Sequence, residues 1–284
     1  MNVNLLIDGS NLMHRVYWVS EKTNRPIISM FLSSIRKLNN DWSPSSIYLV
    51  WDTRLIRGVK NFRREAATDY KGTRDKDKWK KVYAREKPIR ELCASLGLRN
   101  MYPGQLEADD VIYHLSNTLA GLNVIVSSDH DMLQLISPTV QVYNPIKKVL
   151  YDHKNFTDHF PVPVESYVSY KALVGDKSDN IQGLPGVGPR RAVKILTSGV
   201  YETLSSDQIQ IYEDNMRLVD LHQGVKHHPE EISIYDFQVK EQKSHKSNFK
   251  VFTQLCEENG IEDGDTYSSF FADQINNAVL DILS

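Results

Sequence analysis

Four short apolar runs constrain the fold more than any other feature: VNLLID (3–8), SIYLVWD (46–52), NVIVSSD (123–129) and VQVYNP (140–145). Each is apolar at nearly every inner position, the pattern of strands covered on both faces. Amphipathic stretches separate them: ISMFLSSIRKLNN, REKPIRELCASLG and EADDVIYHLSNTLAG. Short strands that alternate with helices of this length predict a parallel sheet with helices packed on it. The predicted class is therefore α/β, a central, mostly parallel sheet flanked by helices. After about Asp152 the strand signals fade and a helical pattern broken by Pro and Gly takes over. The expected division is an α/β core over 1–152 and a helical region over 153–284.

Three of the four runs end in a carboxylate: Asp8, Asp52 and Asp129, with Asp131 two residues on. In open parallel sheets the ligand crevice lies at the carboxyl ends of the strands. A polar loop explains any one of these acids, but it has to be invoked separately for each strand. EADD adds Glu107, Asp109 and Asp110 at the start of a helix, where acids also serve as caps. GDKSDN adds Asp176 and Asp179, three apart and expected to face the same way on a helical turn. Two close like charges repel by about 4 kcal/mol at an effective dielectric of 20. No matching set of Lys and Arg lies in the same segments. A divalent metal resolves the repulsion, and hard oxygen donors without His or Cys favour Mg²⁺ or Mn²⁺ over Zn²⁺.

Charge is unevenly spread. Residues 54–90 hold 14 Lys/Arg against 5 Asp/Glu, a net +9, which leaves −11 for the remainder of a chain whose formal charge is −2. A basic segment of this kind suits an anionic polymer, or simply a solvated charged helix. Cys93 and Cys256 are too few for a disulfide framework and read as reduced thiols. No run is long and apolar enough to span a bilayer, and the start of the chain lacks signal-peptide character. HQGVKHHPEE holds three His at a spacing that fits no metal site, and FFADQINNAVLDIL reads as a packed amphipathic helix.

GLPGVGPRRAVKIL (183–196) places Gly186 and Gly188 between helical segments, as in a helix–hairpin–helix turn whose backbone approaches phosphate closely. A plain helix cap is the alternative for so short a glycine pair. Because the run does not follow the first strand, a dinucleotide-binding loop is rejected.

LLIDGSN, VWD, YKGTR, EADD, SSDHDMLQL and GDKSDNIQGLPGVGPRRAVKIL occur in that order over about residues 3–204. In this the chain resembles the 5′ nucleases: flap endonucleases, the 5′-nuclease domain of DNA polymerase I and, most of all, standalone bacteriophage 5′–3′ exonucleases with RNase H activity. The resemblance implies a PIN-like core, a helical arch over about 54–96 and a helix–hairpin–helix of the H3TH type over about 171–200. It implies structure-specific cleavage of DNA bearing a free 5′ end or flap, or of an RNA/DNA hybrid, in replication and repair. It implies two Mg²⁺ or Mn²⁺ ions held by Asp8, Asp52, Glu107, Asp109, Asp110, Asp129, Asp131, Asp176 and Asp179. Lys71 and Arg74 would contact the scissile phosphate, and Tyr70 would stack on a base. Lys177, Gly186, Gly188, Arg190, Arg191 and Lys194 would bind the duplex, with K⁺ held by carbonyls of the hairpin. The expected setting is a bacterial or phage-infected cytoplasm, in keeping with reduced Cys93 and Cys256, and the expected state a monomer with transient contacts to replication proteins. Two rival classes are a PIN-like single-strand ribonuclease and a non-catalytic structure-specific DNA-binding protein. The hairpin and basic arch weigh against the first. The full set of acids weighs against the second.

Overall fold

The structure, a computed structural model, describes residues 2–52, 61–67, 70–71, 76–241 and 246–271. The first strand, β1 (Val3–Asp8), runs into α1 (Gly9–Thr23) and α2 (Ile27–Trp42), and then into β2 (Ser46–Val50). The basic segment supplies α3 (Phe62–Ala66), α4 (Lys76–Tyr83) and α5 (Glu86–Ser95). β3 (Arg99–Met101), α6 (Ala108–Thr118), β4 (Leu122–Val126), β5 (Val140–Asn144) and β6 (Val149–Tyr151) complete the sheet. Its order is β3-β2-β1-β4-β5-β6, parallel except for the terminal β5–β6 pair. All four predicted strands are present. β3 and β6, each three residues long, were not foreseen.

The sheet is apolar on both faces because both are covered. One core packs Leu5, Ile7, Leu49 and Val124 against Phe31, Ile35 and Leu92 of α2 and α5. The other packs Leu6, Tyr48 and Ile125 against Val111, Ile112 and Leu115 of α6. Burial of this kind stabilises by roughly 25 cal/mol per Å² of apolar surface removed from water.

The helical region comprises α7 (Phe156–His159), α8 (Tyr167–Val174), α9 (Pro189–Ser198), α10 (Val200–Thr203), α11 (Ser206–Val219), α12 (Leu221–His227) and α13 (Pro229–Glu241). Between α8 and α9 lies a small antiparallel hairpin of two-residue strands, β7 (Gly175–Asp176) and β8 (Ile181–Gln182). A further helix, α14 (Phe249–Glu258), departs from the expected division. Phe252, Cys256, Ile261, Tyr267 and Phe271 belong to the first sheet core, so the chain returns to the α/β unit after visiting the helical one. Most of the expected C-terminal helix lies outside the described residues. No helix among the described residues is long and apolar enough to cross a membrane.

Candidate metal centre and nucleic-acid interface

Asp8 ends β1 and caps α1, its Oδ1 accepting the Asn11 N–H at 2.8 Å. Gly9 follows because a Cβ there would lie 3.0 Å from the Trp51 ring and 3.1 Å from the Val50 carbonyl. This close passage brings the end of β1 to the end of β2, where Ser10 Oγ accepts the Asp52 N–H at 2.8 Å. On the other side Ser127 Oγ, just past β4, donates to Asp8 Oδ2 at 3.1 Å. Asp129 then caps a short 3-10 turn (His130–Leu135) by accepting the Asp131 N–H at 2.9 Å. Adjacent parallel strands with in-register ends thus deliver Asp8, Asp52 and Asp129 to one edge.

The carboxylates crowd. Carboxylate oxygens of Asp109, Asp129 and Asp131 lie within 4.8 Å of one another. Burial, with Asp52 and Asp129 nearby, pushes Asp8 up to about 7. Burial also raises Asp109 well above the usual carboxylate range, aided by Asp129, Asp8 and Glu107 and opposed by Lys71. Carboxyls raised by desolvation and like charge are poised to ionise onto a cation. The donor set is all oxygen, so the residues present fit a hard divalent ion.

No matching cations lie in the same segments, but three reach the acids from distant ones. Lys71 Nζ lies 3.0 Å from Glu107 Oε2 and 3.7 Å from Asp179 Oδ2. Lys171, on α8, bonds Asp131 and lies 2.5 Å from Asp176 Oδ2. Sequence reasoning missed this lysine, since it precedes the GDKSDN motif inside an apolar helix. Burial works against the Glu107 and Asp176 carboxylates, yet Lys71 with Arg63, and Lys171 respectively, hold both down at about 2.

The third cation corrects the assignment of Asp110. Its Oδ1 accepts from Arg63 Nη2 at 2.7 Å, and its Oδ2 from Arg63 Nη1 at 2.9 Å and from the Glu107 N–H at 3.0 Å. Both residues are fully buried, and Arg63 Nε also donates to the Leu218 carbonyl. Asp110 therefore faces a guanidinium and a backbone turn, and both of its oxygens are engaged there instead of in the Asp109–Asp129–Asp131 cluster. Gly224 of α12 closes this site from outside: a Cβ there would fall 2.1 Å from Asp110 Oδ1.

Two further expectations change. Tyr70 is buried, and its hydroxyl lies 3.1 Å from both Glu107 Oε2 and Asp179 Oδ2, so its ring is not a free platform for a base. Asp176 and Asp179 sit on the β7–β8 hairpin instead of a helical turn, and they engage different lysines. Arg74 lies outside the described residues, as does much of the arch segment (53–60, 68–69 and 72–75).

The hairpin region is built as the pattern suggested. Ala192 and Ile195 of α9 pack with Leu184 and Val187 on Ala172 and Leu173 of α8. This leaves Arg190, Arg191 and Lys194 exposed, with Lys177 exposed on the β7–β8 turn. Gly186 has φ +72°, a left-handed conformation that favours glycine. Gly188 caps α9 at φ −90°, with nothing within 4 Å of a Cβ built there. Its surroundings are open to an incoming backbone.

Comparison with known proteins accords with this geometry. Residues 3–161 match the 5′-3′ exonuclease N-terminal resolvase-like domain, and residues 162–243 the 5′-3′ exonuclease C-terminal SAM fold. A 5′-3′ exonuclease of Mycoplasmopsis pulmonis is 33% identical over 202 residues, covering 68% of this chain and 66% of that protein. The flap endonuclease Xni of Shewanella denitrificans is 27% identical over 267 residues, covering 84% of this chain and all of that one. The bacteriophage T5 D15 protein co-crystallised with metal ions superposes with a TM-score of 0.71 at 23% identity, covering 86% of this chain and 100% of that one.

Proposed function

The chain belongs to the 5′-3′ exonuclease family, a family of phosphodiester-hydrolysing nucleases, and from that premise we propose that it is a divalent-metal-dependent 5′ nuclease. Its substrate would be DNA with a free 5′ end or a 5′ flap. The observation that carries this reading is the cluster at the sheet's carboxyl edge, where Asp109, Asp129 and Asp131 converge beside Asp8.

Asp8, Asp52, Asp109, Asp129 and Asp131 would hold one or two Mg²⁺ or Mn²⁺ ions, with Glu107, Asp176 and Asp179 at the margin. Bound there, the ions would supply an activated water and charge stabilisation for the leaving oxygen of the phosphodiester. The chain's own residues do the remainder. Lys71 and Lys171 balance the marginal acids and hold their carboxylates ionised. Lys71, beside Glu107, is the cation we assign to the scissile phosphate, with Arg74 as its sequence-based companion. Lys177, Arg190, Arg191 and Lys194 are exposed, and with the open backbone at Gly188 they would contact duplex phosphates. This exposed basic set around the hairpin favours a duplex with a free end over the single-strand ribonuclease reading. Hairpin carbonyls are the place where K⁺ would bind, and a role in replication and repair follows from the substrate class.

The test uses a labelled 5′-flap duplex, a blunt duplex and an RNA/DNA hybrid, each with Mg²⁺ and with chelator. Cleavage of the flap and blunt duplexes only with Mg²⁺, lost in Asp129→Asn while duplex binding persists in Ca²⁺, is the expected result. Cleavage that survives chelator, or a protein that cuts neither DNA duplex with Mg²⁺ while it cuts an added single-stranded RNA, refutes the proposal.

A further inference from the structure

The backbone that leads into Glu107 and Asp109 is not held by the sheet. Residues 104–106 form a bend between β3 and α6. All three N–H groups are taken by one side chain: Glu231 of α13 accepts from Gly104 N at 2.5 Å, Gln105 N at 2.7 Å and Leu106 N at 3.2 Å. Its Oε1 also accepts from the Tyr235 hydroxyl at 2.6 Å, and that hydroxyl lies 3.2 Å from the Tyr102 carbonyl. The Gln105 peptide is gripped at its other end, where Asn61 Nδ2 donates to its carbonyl at 3.1 Å. Asn61 is the buried cap of α3, so the turn is clamped between the base of the basic segment and the helical region. One residue further on is Glu107, and two beyond that is Asp109.

We propose that Glu231 is a positioning residue for the metal centre: its carboxylate fixes the turn from which Glu107 and Asp109 are presented. A carboxylate that gathers three successive backbone N–H groups gives charge-assisted bonds, roughly twice as strong as neutral ones. Burial acts against the Glu231 carboxylate, but Tyr235 and the three N–H groups outweigh it and lower its pKa, so it is ionised where it is needed. α13 has a second tie to α6, His114 Nε2 to Asp236 Oδ1 at 2.7 Å, which does not touch the turn. The two ties separate presentation of the carboxylates from mere attachment of the helix.

This inference rests on the metal-dependent reading, and the experiment distinguishes the two. Mn²⁺ binding is measured by the loss of the free Mn²⁺ paramagnetic signal, alongside thermal stability and hydrogen exchange of the 104–106 amides in chelator. Glu231→Gln keeps the shape but removes the charge and one acceptor oxygen. It is expected to speed exchange at 104–106 and weaken Mn²⁺ binding about 10-fold, the lower end of the cost of losing an outer-shell partner. Duplex affinity in Ca²⁺ should not change. Tyr235→Phe, which leaves the three N–H bonds, should move Mn²⁺ affinity in the same direction by less. Asp236→Ala, which cuts the other tie, should leave Mn²⁺ affinity and the 104–106 amides as in the wild type. Equal Mn²⁺ affinity in Glu231→Gln and wild type, or an equal loss in Asp236→Ala, overturns the positioning role. Absence of Mn²⁺ binding in the wild type overturns the metal-dependent reading itself.

Discussion

Replacing Asp110 by Asn removes the charge opposite a guanidinium that has no route to water. Arg63 and Asp110 are both fully buried, and two bonds of 2.7 and 2.9 Å join them. Removing one partner of a buried ion pair costs about 3–5 kcal/mol, because the other charge is left desolvated. Glu107 Oε2 stays 3.3 Å from Arg63 Nη1 and Asn keeps one acceptor oxygen, so Arg63 retains a counter-charge and the expected loss lies near the lower figure, about 3 kcal/mol. At roughly 2 °C per kcal/mol for a chain of this size, the melting temperature should fall by about 6 °C. Asp109→Asn should do the opposite in chelator. Burial and the neighbouring Asp129, Asp8 and Glu107 disfavour its charge, so neutralising it stabilises the metal-free protein at neutral pH. Adding Mg²⁺ reverses the comparison. Ligand binding to the native state raises its stability, so wild type and Asp110→Asn should both gain melting temperature, and Asp109→Asn should gain little. Differential scanning calorimetry of the three proteins, with chelator and with Mg²⁺, reads both signs. An Asp110→Asn protein that melts with the wild type, or an Asp109→Asn protein that melts below it in chelator, would falsify this division of roles.

Gly224→Ala, favoured by helix propensity by about 1 kcal/mol, should instead lower the melting temperature, because its Cβ would fall 2.1 Å from the fixed Asp110 carboxylate. Gly188→Val should lower the melting temperature only by the modest cost of a poorer helix cap, since φ is −90° and the space around it is open, yet weaken duplex binding measured by fluorescence anisotropy in Ca²⁺. Asp8, raised to about 7 from 3.8, binds more protons folded than unfolded, so its contribution in chelator is greatest below pH 4 and is lost as pH rises through 7. Glu107 and Asp176, lowered to about 2, contribute stability above their unfolded pKa values that is lost as pH falls through 2, so melting temperature in chelator should peak between these windows, and Asp8→Asn should flatten the neutral limb.

What could be read from the sequence follows from how local each signal is. Asp8 and Asp129 were legible because a strand of known period ends on them, and a parallel sheet brings all such ends to one edge. The hairpin was legible because its glycines, proline and exposed basic residues sit within fourteen consecutive positions. The role of Asp110 was not. It differs from Asp109 only in pointing round the helix by one residue, and the partner that decides its role, Arg63, lies 47 positions upstream. Lys171 was hidden for the same reason: within its own segment it is a lone cation on an apolar helix, and only the fold sets it between Asp131 and Asp176. Tyr70 reads as a base-stacking residue from YKGTR alone, but its hydroxyl lies between Glu107 and Asp179. The acids of a metal site announce themselves by type and spacing, since a cation selects for hard charged donors. The cations that balance them in its absence need only arrive at the right place, and long-range packing can supply them from any element. A carboxylate beside a metal cluster is therefore better assigned by the partner that faces it than by its neighbours in sequence.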